Sequence, residues 1–422
     1  MQQCESTTLN GPSGKLEVLY SLPIVDDDIL ETETDDPAAG LLKPPLLFIH
    51  GTFCSAHDFQ NFLPYLAQHG YPAYALSLRG HGASQKQRWL RKMFFTNLHS
   101  WAADVRCVLA HMTKEAAASR MSVSSSSPSP SPPASSASSS SASMHSVSPP
   151  PSIKSTSSSC NHQQRRPPPV LVGHSLGGGV LQWMLSSGAI GRHHQDVPTE
   201  ISGLVLLGSM PLSGSGREVL SNWERAEASR GALRRPFMLS ERCLVRTRTQ
   251  ARAAFFSDET EDAVVEMWLR TCKTKHESAL AGMSVLWPFG EAGKVLGSLS
   301  GIGLPPRGKG HDGRKVLCVA GSVDKLVPPA MVLANAYAYA DAVKEAGEGL
   351  ETCRMWTVQG VRPPSHDGRA LAGMRGRRSP VARRRGTAHC VMWELERIMM
   401  STNKRMHSVG IDWCFEITTL KL

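Results

Sequence analysis

A serine stands at a sharp corner in Gly173-His174-Ser175-Leu176-Gly177, between the apolar run Val170-Leu171-Val172 and the helix-like pattern that follows from Gly178. A serine hydroxyl is a poor nucleophile until a base takes its proton, so its chemistry depends on a histidine and on an acid that orients it. Asp324 follows the apolar run VLCVAGS, in GSVDKLVPP. His389 follows MWTVQG, once an arginine-rich segment is skipped, in GTAHCVMWE. Serine, acid and histidine in that order, each beyond an apolar run, are the parts of a nucleophilic acyl transfer through a covalent intermediate.

The corner itself has a purpose. A strand that turns at once into a helix forces its corner residue into strained φ/ψ, and glycines two positions either side leave room for it. Oγ is then exposed beside the unpaired N–H groups of the helix N-terminus. A developing oxyanion needs two donors. One is the N–H of Leu176; the other comes from the loop LLFIHGTFCSAHDF, from Thr52 or from Phe53. His50 and His81, the latter in RGHG, read as braces of loops, and His174 as structural.

Elements must carry these residues. LLFIHG (46 to 51), YALSL (74 to 78), VLVGHS (170 to 175), LVLLGS (204 to 209), VLCVAGS (316 to 322) and MWTVQG (355 to 360) are continuous apolar runs separated by helical patterns. Such runs describe strands of a mostly parallel sheet buried on both faces, hence a doubly wound α/β fold. Ligands bind beyond the carboxyl ends of such strands, where Ser175 stands. The expected core is residues 1 to 209 and 314 to 422, with a helical cap at 210 to 313 inserted after the sixth strand. EDAVVEMWLRTCKTKHESALAGM (261 to 283) supplies part of that cap.

Two segments interrupt the core. Residues 122 to 159 hold 21 serines and seven prolines in 38 positions, too little apolar surface to offset the entropy of ordering, so they read as a disordered loop. Residues 361 to 386 hold eight arginines and one aspartate, so all but +3 of the formal net charge of +10 lies there. A basic field over the whole fold is therefore not implied, and with it a nucleic-acid partner. The ten cysteines have no zinc or redox spacing and read as free thiols in a reducing compartment. No metal or nucleotide cofactor is implied: acids and histidines lack metal spacing, and GSMPLSGSG (208 to 216) lacks the Lys-Ser/Thr of a phosphate loop. The start MQQCESTTLN has no basic and apolar leader, and no run of about 18 apolar residues occurs, so an intracellular, cytoplasmic setting without a membrane span is expected.

The chain resembles the α/β-hydrolase family through the HG loop (50 to 51), SLRGHG (77 to 82), GHSLGG (173 to 178), the G-x-x-D-x-x-V acid loop (321 to 327) and the late histidine. It looks most like the serine hydrolases of fungal genomes, which share a GHSxGGG elbow, a cap motif near SVLWPFG (284 to 290) and an acid loop ending in DKL (324 to 326). The resemblance implies Ser175 as nucleophile, Asp324 as acid and His389 as base. Members of this kind end a strand in V-x-G-x-x-H, which here appears only when Val361 to Gly386 are removed to give VQGTAHCVMWE. That segment opens with Val-Arg, which GTG-AGR codons encode, and reads as a retained intron. The tail after about residue 401 matches nothing in that pattern.

Phe255, Phe256, Trp268, Trp287 and Phe289 of the cap either line an apolar pocket over Ser175, favouring a small to medium acyl or aryl ester, or pack the cap onto the core. The expected activity is a serine esterase acting on a small molecule through an acyl-enzyme. An acyltransferase or lyase on the same fold, or a binding module whose insertion displaces His389, are the alternatives.

Overall fold

The computed structural model describes residues 4–24, 43–124, 167–189, 200–225, 245–256, 260–271, 277–301, 315–322, 324–347 and 353–358. Residues 125 to 159 of the expected loop at 122 to 159, the arginine-rich segment, His389 and the C-terminal tail lie outside the described residues.

All six apolar runs are strands: β3 (Leu46–Ile49), β4 (Ala73–Ser77), β5 (Val170–His174), β6 (Gly203–Leu207), β7 (Val316–Gly321) and β8 (Cys353–Val358). They form the parallel part of one eight-stranded sheet in the order β1-β2-β4-β3-β5-β6-β7-β8. Its remaining strands, β1 (Glu5–Gly11) and β2 (Gly14–Ser21), are an antiparallel hairpin that sequence pattern did not disclose. The signal was weak because β1 lies at the edge with largely polar, exposed side chains. Its turn, Gly-Pro-Ser-Gly, closes on Gly14 at φ 118°, a conformation that glycine adopts without strain.

Period-two alternation sends neighbouring strand side chains into two separate layers. Leu47, Ile49, Leu171, Leu204, Leu206 and Cys318 pack with α3 (Leu98–Ser124), α4 (Leu176–Ser186) and α10 (Pro329–Glu345) on one face. Leu46, Phe48, Val170, Val172, Val205 and Val319 face the other way, onto α1 (Phe62–Gln68) and Phe59 of the 3-10 turn Ala56–Phe59. Each fully buried large side chain contributes about 1.5–3 kcal/mol. Three residues assigned from composition to the loop, 122 to 124, instead continue α3.

Between β6 and β7 come α5 (Glu218–Arg225), α6 (Arg248–Phe255), α7 (Asp262–Thr271), α8 (Ala279–Ser284) and α9 (Ala292–Gly297). The last belongs with the core: α9 packs on α4 and α10, and Ser300 N–H donates to Ile201 O at 2.9 Å. Among the described residues Cys54, Cys318 and Cys353 are buried and Cys4 and Cys107 partly exposed, and none of the five is in a disulfide.

Candidate active site

Ser175 ends β5 and caps α4 at φ 51°, ψ −120°. With Phe53 at φ 64° it is one of two non-glycine residues at positive φ among the described residues. Such a conformation stores on the order of 1–3 kcal/mol and persists only where its surroundings fix it. Here they do. Ser175 N–H donates to Leu207 O at 2.9 Å, and its carbonyl accepts from Gly179 N–H and from Ser209 Oγ–H, both at 3.3 Å. The glycines are needed for close approach: a Cβ on Gly173 would stand 2.5 Å from Gly178 Cα, and one on Gly177 would collide with the carbonyls of Ile49 and His50.

The loop after β3 abuts this corner. A Cβ on Gly51 would come within 2.9 Å of Ser175 Cβ, so Thr52 enters beside the serine. Among the described residues, neither the Thr52 N–H nor the Leu176 N–H has a protein acceptor. Phe53 is different, and this corrects one of the two alternatives for the second donor. Its N–H is taken by a carboxylate oxygen of Glu277, a buried residue just before α8, so it cannot also serve an oxyanion.

Glu277 is the residue that sequence reasoning missed. The same oxygen, Oε1, lies 3.0 Å from His81 Nε2, while Lys92 Nζ lies 3.5 Å from that nitrogen and donates to Gly80 O at 3.1 Å. Glu277, His81 and Lys92 are all at most 4% exposed. Burial alone would raise the Glu277 carboxyl, but His81, the Lys92 charge and the Phe53 N–H outweigh it and bring it to about 2. Burial draws Lys92 down to about 8, and burial with the Lys92 charge lowers His81. Glu277 Oε2 is buried without a partner among the described residues.

His50 braces its own loop. His50 accepts from Leu78 N–H at Nε2 (3.1 Å), which leaves its proton on Nδ1, 2.9 Å from Gly51 O; burial and neighbouring His81 lower it to about 3. Burial lowers His174 likewise, to about 3. Behind the elbow, Gln182 of α4 donates to Met210 O at 2.9 Å and accepts from Tyr339 Oη–H and Asn335 Nδ2–H at 3.0 and 3.1 Å. That network ties α4, α10 and the loop after β6 together beneath Ser175.

Asp324 stands beyond β7, two strands from β5 and so about 10 Å away at the usual strand spacing. Its Oδ1 accepts from Leu326 N–H at 3.0 Å and Val327 N–H at 2.9 Å. Burial raises the carboxyl to about 6 despite these donors. β8, after which His389 follows in sequence, is the next strand over.

Of the five cap aromatics, four pack inward and one does not. Trp268 is fully buried, with Phe255 and Phe256 at ring-centroid distances of 5.2 and 5.7 Å, and its Nε1–H donates to Asp58 Oδ1 at 3.0 Å. Phe289 is partly buried against α4, its ring 3.8 Å from where a Gly179 Cβ would be. Trp287 is 70% exposed, which removes it from a pocket lining. No group of three acids, cysteines or histidines among the described residues is arranged to hold a metal ion.

Residues 46–394 match the family model described as the alpha/beta hydrolase family. An esterase from Exiguobacterium antarcticum is similar in structure at 14% identity and TM-score 0.44, covering 84% of this chain and 90% of that one. A thermophilic esterase from Thermogutta terrifontis gives 14% and 0.43 with the same coverage. A hydrolase from Pseudomonas aeruginosa gives 17% and 0.41, covering 79% and 86%. No curated protein sequence matches.

Proposed function

The chain belongs to the alpha/beta hydrolase family, and from that footing we propose that it is a serine hydrolase cleaving a carboxylic ester of a small to medium apolar substrate through an acyl-enzyme. The observation that carries this reading is the strained conformation of Ser175, held at φ 51° between β5 and α4 with the Gly51-Thr52 loop against it. A fold that maintains such strain without using it gains nothing.

In this mechanism Ser175 Oγ attacks the ester carbonyl while the His389 imidazole takes its proton, and the tetrahedral oxyanion is held by the N–H groups of Leu176 and Thr52. The C–O bond to the leaving alcohol then breaks, and the imidazolium returns the proton to that alcohol. Water, deprotonated by the same imidazole, attacks the acyl-enzyme, releases the acid and restores Ser175. Asp324 holds the imidazole in the tautomer that faces Ser175 and stabilises the imidazolium.

The retained-intron reading fits the same scheme. Without residues 361 to 386, His389 falls five positions after Val358, on the loop leaving the carboxyl end of β8. Ser175 and Asp324 follow the carboxyl ends of β5 and β7, and in the shortened chain His389 would join them at that end of the sheet. Phe255 and Trp268 pack the cap together, and Phe289, partly buried against α4, is the aromatic that bears on the elbow helix.

The test is two proteins, the chain as given and one lacking 361 to 386, each treated with a fluorescent fluorophosphonate, with Ser175→Ala as control. Labelling of the shortened form that Ser175→Ala abolishes is the expected result. Absence of labelling from both folded forms overturns the hydrolase reading, equal labelling of both shows that the insertion is tolerated, and spliced transcripts that contain all 26 codons overturn the intron reading.

A further inference from the structure

Eleven large hydrophobic residues are exposed among the described residues, and six of them, Trp89, Leu90, Phe94, Phe95, Leu280 and Met283, lie on α2 (Trp89–Phe95) and α8. These two helices pack against each other, so the exposed side chains are gathered rather than scattered. Single exposed apolar residues are ordinary on a protein surface; a group of six, two helices wide, is not. Trp89 and Phe95 are 48% and 73% exposed, and the Trp89 and Phe94 rings meet edge to face at 6.2 Å.

The charge along α2 and the residues that flank it is of one sign. Residues 84 to 103 contain Lys86, Arg88, Arg91 and Lys92 and no aspartate or glutamate. Lys86, Arg88 and Arg91 are exposed, whereas Lys92 is turned inward onto Gly80 O and His81. The inner side of α2 is thus anchored to the buried Glu277 cluster, and its outer side presents aromatics among cations. α2 follows the loop that leaves the carboxyl end of β4, and β4 runs parallel to β3 and β5, so the group lies at the same end of the sheet as Ser175.

We propose that α2 and α8 form a docking surface for an anionic lipid bilayer. Indole and phenyl rings settle at headgroup depth, the aliphatic side chains enter the acyl boundary, and Lys86, Arg88 and Arg91 meet the lipid phosphates and carboxylates. The protein lies on the membrane: no helix among the described residues is long and apolar enough to cross one. Docking in this orientation turns the Ser175 end of the sheet toward the lipid. The binding itself does not depend on the catalytic reading.

The full chain is sedimented with vesicles of phosphatidylcholine alone and of phosphatidylcholine with about 30% phosphatidylserine, at 0.1 M and 0.5 M salt. Two double variants are compared, Trp89→Ser with Phe95→Ser, and Arg88→Glu with Arg91→Glu; all four side chains are exposed, and melting curves check the fold. Binding to phosphatidylserine vesicles is expected, falling roughly tenfold or more in each double variant and in high salt. Failure of the wild-type chain to bind phosphatidylserine vesicles overturns the proposal, as does binding by both variants equal to wild type. A wild-type dimer in light scattering that the serine variant makes monomeric, without vesicle binding, assigns the surface to self-association and also overturns it. Fluorophosphonate labelling of Ser175, read separately, reports on the hydrolase reading alone.

Discussion

The backbone N–H of Phe53 points into the carboxylate of Glu277, a residue 224 positions further along the chain. One hydrogen bond thereby joins the segment after α7 to the loop that enters beside Ser175, and it holds Phe53 at φ 64°. Glu277→Ala leaves a buried N–H unpaired, a penalty of about 1–3 kcal/mol, and frees the loop carrying Thr52. Ester hydrolysis is expected to fall roughly 10- to 100-fold in kcat with KM little changed, because a misplaced oxyanion donor is felt in the transition state. Glu277→Gln keeps an acceptor for Phe53 and restores most of kcat. Loss of melting temperature in both variants with unaltered kcat would make Glu277 structural only.

Acid should destabilise the fold through the same group. Glu277 ionises at about 2 folded against 4.5 as a free side chain, so its contribution is fully present above pH 4.5 and is lost as pH falls toward 2. Glu17, brought to about 2 by His57, Ala83 N–H and Ser77 against the opposing effect of burial, acts in the same window. Urea midpoints measured from pH 6 to pH 3 should fall for the wild type and fall less steeply for Glu277→Gln.

Ser175→Gly should be more stable than wild type by about 1 kcal/mol, because glycine adopts φ 51° without a Cβ penalty. Ser175→Ala keeps the strain and gains little. Thermal melts of the pair compare them directly, and both lose fluorophosphonate labelling.

Trp268→Ala should destabilise by about 3–5 kcal/mol, removing the ring on which Phe255 and Phe256 pack and the donor to Asp58 Oδ1. Trp287→Ala should change stability by less than about 0.5 kcal/mol and leave KM unchanged, since the side chain is 70% exposed. A large KM effect at Trp287 would return it to the pocket.

Hydrolysis should decline as pH falls below about 6. Protonation of the base imidazole and protonation of Asp324, whose carboxyl burial raises to about 6, both disable proton transfer in this range. A kcat/KM profile on a neutral ester, compared with that of Asp324→Asn, tests this; an unaltered rate and profile in the variant remove Asp324 from the orienting role.

What could be read from sequence follows from burial. The parallel strands were legible because both faces are covered, so LLFI, VLV and VLCVA carry no polar residue to blur them. The elbow was legible because its glycines answer a local collision with Gly178 and the β3 carbonyls. β1 was not, since Glu5, Ser6, Thr7 and Thr8 carry no core signal at a sheet edge. Nor was Glu277: a lone glutamate before the N-cap Ser278 has no local mark, and its role exists only once the chain brings Phe53, His81 and Lys92 to it. Trp268 and Trp287 are both plain tryptophans in sequence, and only packing separates them.

The β1–β2 hairpin lies before residue 46, where the family match begins, yet it is part of the same folding unit. Glu17 of β2 accepts from Ser77 Oγ–H at 2.7 Å and Ala83 N–H at 2.8 Å, its own N–H donates to Ser84 Oγ, and Gln85 N–H donates to Lys15 O. An expression boundary drawn from family homology would delete these acceptors and bare the flank of β4 to strand addition from other copies. Protein truncated at that boundary would be expected in inclusion bodies.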